Sequence, residues 1–153
     1  MRVEWIRPGN ERRVLEAGHL FDRLPDEQAT GAYLADRRNY LLLAYADDRA
    51  VTRSDVAAVG FVRGTELGRL DGPERQMLLY EIAVAPEYQR QGIGAALIRA
   101  LEQICRDEGF AEMFVFTNRS NAAAMRLYAS TGAHTEADDE QMFVWTYIEG
   151  FED

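Results

Sequence analysis

A glycine-rich segment, Gln89-Arg90-Gln91-Gly92-Ile93-Gly94-Ala95, follows a predicted strand and opens a predicted helix. Gly92 and Gly94 remove side chains where backbone N–H groups could approach an anion. The unpaired amides and the positive end of the helix favour phosphate there, and Arg90 can add a charge-assisted contact. The segment therefore predicts a pyrophosphate site, although two nearby glycines alone also permit an ordinary tight turn.

Other anion and metal sites are excluded by the residues present. A dinucleotide fingerprint needs Gly-x-Gly-x-x-Gly after a first strand, and a P-loop needs Gly-Lys-Ser/Thr. The segment fits neither pattern. No group of histidine, cysteine and carboxylate residues has ligand spacing, so we expect no metal.

A carboxylate, Glu81, lies inside the apolar strand that precedes this segment. An acidic residue in such a strand is unfavourable unless it is paired or used in chemistry. Glu81 could accept a proton as a general base, directly or through water. It could equally be a structural carboxylate bonded to a neighbouring backbone group or to an arginine.

The other reactive side chains are few. His19 and His134 are the histidines of the chain, and a lone histidine is more often a surface or satisfied residue than a base. Cys105 falls on the apolar stripe of a predicted helix, which indicates core packing rather than a nucleophile.

The elements that position these residues follow from hydrophobic periodicity, in the order β-α-α-β-β-β-α-β-α-β. We expect an α/β (α+β) sandwich with a central mixed, mostly antiparallel, twisted sheet of six to seven strands and about four helices. The predicted strands are 3–7, 40–46, 57–67, 76–84, 112–117 and 141–147, and the predicted helices are 10–24, 26–37, 92–109 and 121–130.

Length and composition indicate a single domain over residues 1–153. The longest apolar run, Tyr40 to Ala46, is too short to span a bilayer, and the first residues carry no signal core. A single cysteine suits a reducing cytoplasm, which is the expected location.

The formal net charge of −9 repels phosphate backbones, so nucleic acid is not an expected partner. The same charge favours cationic partners, although solubility alone explains it equally well.

Two stretches together resemble the GCN5-related N-acetyltransferase superfamily. They are Glu81-Ile82-Ala83-Val84-Ala85-Pro86-Glu87-Tyr88-Gln89-Arg90-Gln91-Gly92-Ile93-Gly94 and, downstream, Asn121-Ala122-Ala123-Ala124-Met125-Arg126-Leu127-Tyr128-Ala129-Ser130-Thr131-Gly132. The resemblance implies the fold of that superfamily, use of acetyl-coenzyme A, and direct acetyl transfer to an amine in a ternary complex.

The resemblance also implies roles for particular residues. The amides of Gln89 to Ala95 would bind the pyrophosphate, and the strand Ile82-Ala83-Val84 would pair with the pantetheine arm. A backbone N–H near Ile82 would hold the oxyanion. Asn121 would orient the cofactor, unless it is only an N-cap. Tyr128 would protonate the departing thiolate, the alternative being a packed tyrosine whose hydroxyl is satisfied locally.

Further segments resemble the gentamicin-type aminoglycoside 3-N-acetyltransferases. They are His19-Leu20-Phe21-Asp22, Tyr33-Leu34, Val59-Gly60-Phe61 and Leu78-Leu79-Tyr80-Glu81-Ile82-Ala83-Val84. Members of that group commonly carry aspartate at the position of Glu81. They also carry a run of acids where this chain has Thr117-Asn118-Arg119-Ser120-Asn121.

This second resemblance implies a polycationic small-molecule amine as acceptor, held by carboxylates. The candidate acceptor-binding residues are His19, Glu66, Asp71, Glu81, Asp138, Asp139 and Glu140. Each acid could equally be a solvated turn residue.

Alternative acceptors and partners stay open. The same chemistry suits a polyamine, a lysine or a peptide N-terminus, and a chain that kept the fold could bind acetyl-coenzyme A without turnover. The predicted last strand puts Phe143, Trp145 and Tyr147 on one face, which would serve a homodimer or ordinary core packing equally well.

Overall fold

The computed structural model describes residues 1–46, 57–135, 139 and 143–150. In this part of the chain the elements follow the predicted order as far as residue 130. The strands are β1 (Arg2–Trp5), β2 (Asn39–Tyr45), β3 (Gly60–Gly68), β4 (Arg75–Val84) and β5 (Glu112–Phe114), and the helices are α1 (Glu11–Glu16), α2 (Glu27–Ala35), α3 (Ile93–Asp107) and α4 (Ala122–Ser130). Short 3₁₀ turns lie at Gly18–Leu20 and Pro86–Tyr88.

The sheet confirms the predicted mixed, mostly antiparallel architecture. Its strand order is β1-β2-β3-β4-β5, with antiparallel pairing throughout except for the parallel pair β4 and β5. Among the described residues the sheet has five strands, fewer than the six or seven expected.

The predicted last strand, 141–147, is wrong where it can be examined. Residues 143–147 lie outside any strand, and Phe143, Trp145 and Tyr147 are exposed. Apolar and polar residues do alternate in this segment. Such a pattern forms a strand only when a neighbouring strand supplies hydrogen bonds and one face of the strand packs on a core. Residues 141 and 142, like the predicted turn at 51–54, fall outside the described residues.

Helices cover both faces of the sheet. Leu41, Leu43 and Tyr45 of β2 pack with α1 and α2, while Leu42 and Ala44 between them pack with α3. All five are at most 3% exposed, which confirms that β2 is buried on both faces.

Several boundaries differ from the prediction. The helix expected to run to Leu24 ends at Glu16 and gives way to the first 3₁₀ turn. A Cβ on Gly18 would lie 3.2 Å from Leu24 Cδ2 and 3.3 Å from Pro25 Cδ, so the chain folds back tightly here. The strand expected to reach Thr117 ends at Phe114.

A β-bulge in β4 sets which side chains face which helices. Arg63 pairs with Glu81 and Gly64 with Leu79, so Tyr80 is an extra residue without a partner. Before the bulge Met77 and Leu79 face α3, and after it Ala83 packs with the α1 and α2 side. The bulge thereby turns Glu81 toward α1 and α2.

No helix in the described part of the chain is long and apolar enough to cross a membrane.

Candidate active site

The predicted anion loop links β4 to α3 with unusual backbone geometry. Arg90 has φ of +61° and Gly92 has φ of +82°, both in the left-handed region. A side chain adopts that region at a cost of roughly 1–3 kcal/mol, and such strain often accompanies a binding site. Gly92 caps α3, and a Cβ there would meet nothing within 4 Å. A side chain at position 92 would therefore extend into open space at the N-terminal end of α3, where the amides of the first helical turn have no partner within the helix.

Two glutamine side chains hold this loop in shape. Gln89 Nε2 donates to the carbonyl of Val84 at 3.1 Å, and Gln91 Nε2 donates to the carbonyl of Glu87 at 3.3 Å. The sequence prediction used only the amides of these residues. The structure adds that the Gln89 side chain ties the loop to the end of β4, and the Gln91 side chain ties it to the 3₁₀ turn at Pro86–Tyr88.

The second glycine of the loop serves helix packing. A Cβ on Gly94 would lie 3.1 Å from Leu127 Cδ2 of α4, tighter than an ordinary contact. Gly94 thus lets α4 approach the start of α3, which brings the downstream motif beside the loop.

The edge of β4 opens next to the loop. Pairing with β5 ends at Leu78 and Phe114, whereas β4 continues to Val84. Ala85 N donates to Val59 O, so alternate residues bond to β3. By that alternation the backbone groups of Ile82 and Val84 point away from β3, and the carbonyl of Val84 is the one that accepts from Gln89 Nε2.

Glu81 is half-buried on the α1 and α2 side and is paired with an arginine. Arg63 Nε donates to Glu81 Oε2 at 2.7 Å. The guanidinium lies 4.4 Å from the Tyr80 ring centroid and 5.9 Å from that of Tyr33. The alternative of a carboxylate bonded to an arginine is therefore observed, through Glu81 Oε2.

Burial and the pair of Arg63 with Glu81 together set the pKa values of Tyr33 and Arg63. Burial raises the pKa of Tyr33, although the nearby charge of Arg63 opposes the rise. Burial alone would lower the pKa of Arg63, but its hydrogen bond to Glu81 and the charge of that carboxylate outweigh burial and raise it. The sequence did not indicate Arg63 as the partner of Glu81, because the register between β3 and β4 depends on the bulge.

The downstream motif forms α4. Asn121 Oδ1 accepts a hydrogen bond from Ala124 N at 3.1 Å, so Asn121 is the N-cap that was kept as an alternative. Tyr128 packs against the α3-side core, and burial raises the pKa of its hydroxyl above the usual 10.0. The hydroxyl is therefore protonated at neutral pH, as a proton donor must be.

A cavity of about 300 Å³ lies beside the end of β4, lined by His19, Leu20, Ala83, Val84, Ala85, Pro86 and Glu87. His19 Nε2 lies 2.8 Å from the carbonyl oxygen of Ala58. Because a carbonyl only accepts, Nε2 is the donor in this contact. The structure thus brings His19 to the same end of β4 as the loop.

The other predicted acceptor-binding acids do not join Glu81. Glu66 lies on the α3 side of the sheet with its Oε2 3.4 Å from Arg75 NH1, and Asp71 forms a two-bond pair with Arg69 in the exposed turn after β3. Asp139 is exposed, whereas Asp138 and Glu140 fall outside the described residues. The expected acidic cleft is not assembled from Glu66, Asp71 and Glu81.

Among the described residues no cluster of histidine, cysteine and carboxylate side chains could hold a metal. Cys105 is buried in the α3-side core, and burial raises its pKa to about 11. Its thiol therefore stays protonated, in keeping with the predicted packing role.

The fold is shared with an aminoglycoside acetyltransferase from an uncultured soil metagenomic sample, whose structure was solved in complex with sisomicin. The TM-score is 0.81 over 95% of this chain and 96% of that chain, at 21% identity. Likeness at that identity shows the fold alone.

Similarity in sequence extends to acetyltransferases of other kinds. N-acetyltransferase 8 of Homo sapiens is 30% identical over 103 residues, which is 67% of this chain and 42% of that protein. The ribosomal protein bS18-alanine N-acetyltransferase of Escherichia coli (strain K12) is 46% identical over 54 residues, 35% of this chain and 36% of that protein. The matched segments span less than half of each relative. The family profile described as Acetyltransferase (GNAT) family matches residues 10–133, and the chain belongs to that family.

Proposed function

We propose that this protein transfers the acetyl group of acetyl-coenzyme A directly to an amine. The observation that carries the proposal is the position of the open edge of β4 between the α3 amides at Gly92 and the carboxylate of Glu81. Family enzymes generally use acetyl-coenzyme A, and the residues fit that group. The amides of Gln89 to Ala95 would receive the pyrophosphate, and Ile82 and Val84 would pair with the pantetheine arm.

Acetyl-coenzyme A, when bound, supplies a thioester as the acetyl donor. An amine attacks such a carbonyl only as the neutral base, but alkyl amines are largely protonated at neutral pH. Glu81 would accept that proton through Oε1, directly or through one water. The backbone N–H of Ile82 would donate to the carbonyl oxygen, and Tyr128 would give its proton to the departing sulfur.

For the acceptor we propose an aminoglycoside, acetylated at the 3-amino group. Support comes from the sequence segments that resemble gentamicin-type enzymes and from the fold shared with an aminoglycoside acetyltransferase over nearly the whole chain. The net charge of −9 would also concentrate a polycation near the protein.

A peptide N-terminal amine is the second candidate, and the arginine pairs favour it. Glu66, Asp71 and Glu81 are each neutralised by an arginine, which leaves less negative charge for several ammonium groups. A single amine needs only one proton acceptor. The curated relative that acts on ribosomal protein alanine belongs to this class.

Thiol release from acetyl-coenzyme A, measured across gentamicin, sisomicin, spermidine and an alanine-initiated peptide, separates these acceptors. We expect efficient turnover on the aminoglycosides and little on spermidine or peptide. Efficient turnover on the peptide alone would replace the aminoglycoside by the second candidate. Binding of acetyl-coenzyme A without turnover of any amine would contradict the enzyme proposal.

A homodimer through the C-terminal segment and a cytoplasmic location stay predictions from the sequence. The side chains of Phe143, Trp145 and Tyr147 are exposed, as a dimer contact would require.

Replacing Tyr128 by phenylalanine is expected to lower kcat by roughly ten- to a hundredfold with little change in affinity for acetyl-coenzyme A. The loss is moderate because a thiolate, with a pKa of about 8.5, leaves fairly well without an acid. Tyr40→Phe, which alters another tyrosine of the same core, is the control. Turnover and calorimetric binding are measured for both variants, and normal kcat in Tyr128→Phe would remove the acid role.

A further inference from the structure

We propose that Arg63 is a positioning residue that holds one oxygen of the Glu81 carboxylate and so aims the other at the acceptor amine. The inference rests on the proposed function, since it assigns Arg63 a part in the proton transfer. The positioning role explains why the charged Arg63 lies on β3 between buried neighbours. Neither of the two sequence motifs contains Arg63.

The contacts of Arg63 restrain it on several sides. Its Nε donates to Glu81 Oε2 at 2.7 Å, and its guanidinium lies 4.4 Å from the centre of the Tyr80 ring and 5.9 Å from that of the Tyr33 ring. Stacking and a charge-assisted hydrogen bond limit the rotation of the guanidinium. The side chain is 32% exposed, so neighbouring atoms enclose most of it.

The bulge at Tyr80 makes this arrangement possible. The extra residue places Glu81 directly opposite Arg63 across the two strands and presents the Tyr80 ring to the guanidinium. Directly opposed side chains in a sheet interact most strongly. The bulge therefore supplies the support of the carboxylate close to the open edge of β4.

The chemistry of a carboxylate explains why such support affects turnover. A free glutamate samples several rotamers, and only some of them bring an oxygen within hydrogen-bond distance of an attacking nitrogen. With Oε2 held by Arg63, Oε1 is the oxygen that can receive the proton. At 35% side-chain exposure, Glu81 remains accessible to an acceptor.

A kinetic double-mutant cycle of Arg63→Gln and Glu81→Gln tests the inference. With Glu81 present, Arg63→Gln is expected to lower kcat by about tenfold while KM for acetyl-coenzyme A stays unchanged. In the Glu81→Gln background the same change is expected to lower kcat by less than about twofold, because the carboxylate that Arg63 positions is gone.

The variant Arg63→Lys separates a lost contact from a folding defect, because lysine keeps the positive charge but lacks the Nε–H and the planar guanidinium. It is expected to restore part of kcat. Arg69→Gln, which breaks the exposed Arg69 and Asp71 pair, is the matched control and should change kcat in neither background. Thermal unfolding of every variant shows whether a loss of turnover reflects a loss of fold.

The outcomes separate this inference from the proposed function. The cycle is measured on whichever amine the acceptor panel identifies, so replacing the aminoglycoside by a peptide leaves the test intact. Equal losses from Arg63→Gln in both backgrounds would overturn the positioning role alone. No loss from Glu81→Gln would overturn the proton acceptor and the inference together.

Discussion

Replacing Gly92 by aspartate is expected to abolish measurable binding of acetyl-coenzyme A while the protein still folds. The new carboxylate would stand at the N-cap of α3, where the proposed pyrophosphate binds. Two unit charges 4 Å apart repel by about 4 kcal/mol near a protein surface, which corresponds to about a thousandfold in affinity. Isothermal calorimetry with coenzyme A measures the loss directly.

Two variants separate charge from backbone strain. Gly92→Asn has nearly the shape of aspartate without the charge, and it should retain most of the affinity. Gly109→Asp carries the same change at the other end of α3, where φ is +75° and the added Cβ likewise meets nothing within 4 Å. It should lose stability without losing the cofactor. Wild-type affinity in Gly92→Asp would remove the pyrophosphate from this loop.

The loop and the core elements were predictable because their signals are local. Local interactions, within one or two helical turns, define the apolar stripe of α3 and the glycine before it. The same holds for the N-cap hydrogen bonds of Asp26 and Asn121. Such interactions depend on spacing along the chain, which the sequence displays directly.

The environment of Glu81 could not be predicted in the same way. Its partner Arg63 lies on another strand, and the register that brings the two together depends on a bulge at Tyr80. A register shifted by one residue would place Arg63 on the opposite face. The sequence alone left a pair with an arginine as one of several possibilities for Glu81.

Three of the predicted acceptor-binding acids, Glu66, Asp71 and Glu81, lie apart for a related reason. The sequence offered these acids as candidates because a polycationic acceptor would need carboxylates, but strands direct alternate side chains to opposite faces. Glu66 and Glu81 consequently lie on different sides of the sheet, each beside its own arginine. The number of acids contributes to the net charge of the chain, but ion pairs with arginine reduce the negative charge that a bound ligand encounters.

Replacing Glu81 by glutamine is expected to lower kcat by roughly 10²- to 10⁴-fold, the usual contribution of a general base. Glutamine keeps an oxygen for the hydrogen bond from Arg63 Nε, so the fold and the cofactor site should be preserved. It cannot take a proton from an ammonium group. Steady-state turnover and affinity for acetyl-coenzyme A are measured side by side.

The pH dependence of the Glu81→Gln variant gives a sharper test. As pH rises toward the pKa of an alkyl ammonium, about 10, more acceptor is already neutral and needs no base. The ratio of wild-type to variant kcat/KM should therefore fall with rising pH. Glu66→Gln, which alters the acid paired with Arg75 on the other face, should match the wild type throughout. A ratio independent of pH would mean that Glu81 supports the reaction without accepting the proton of the amine.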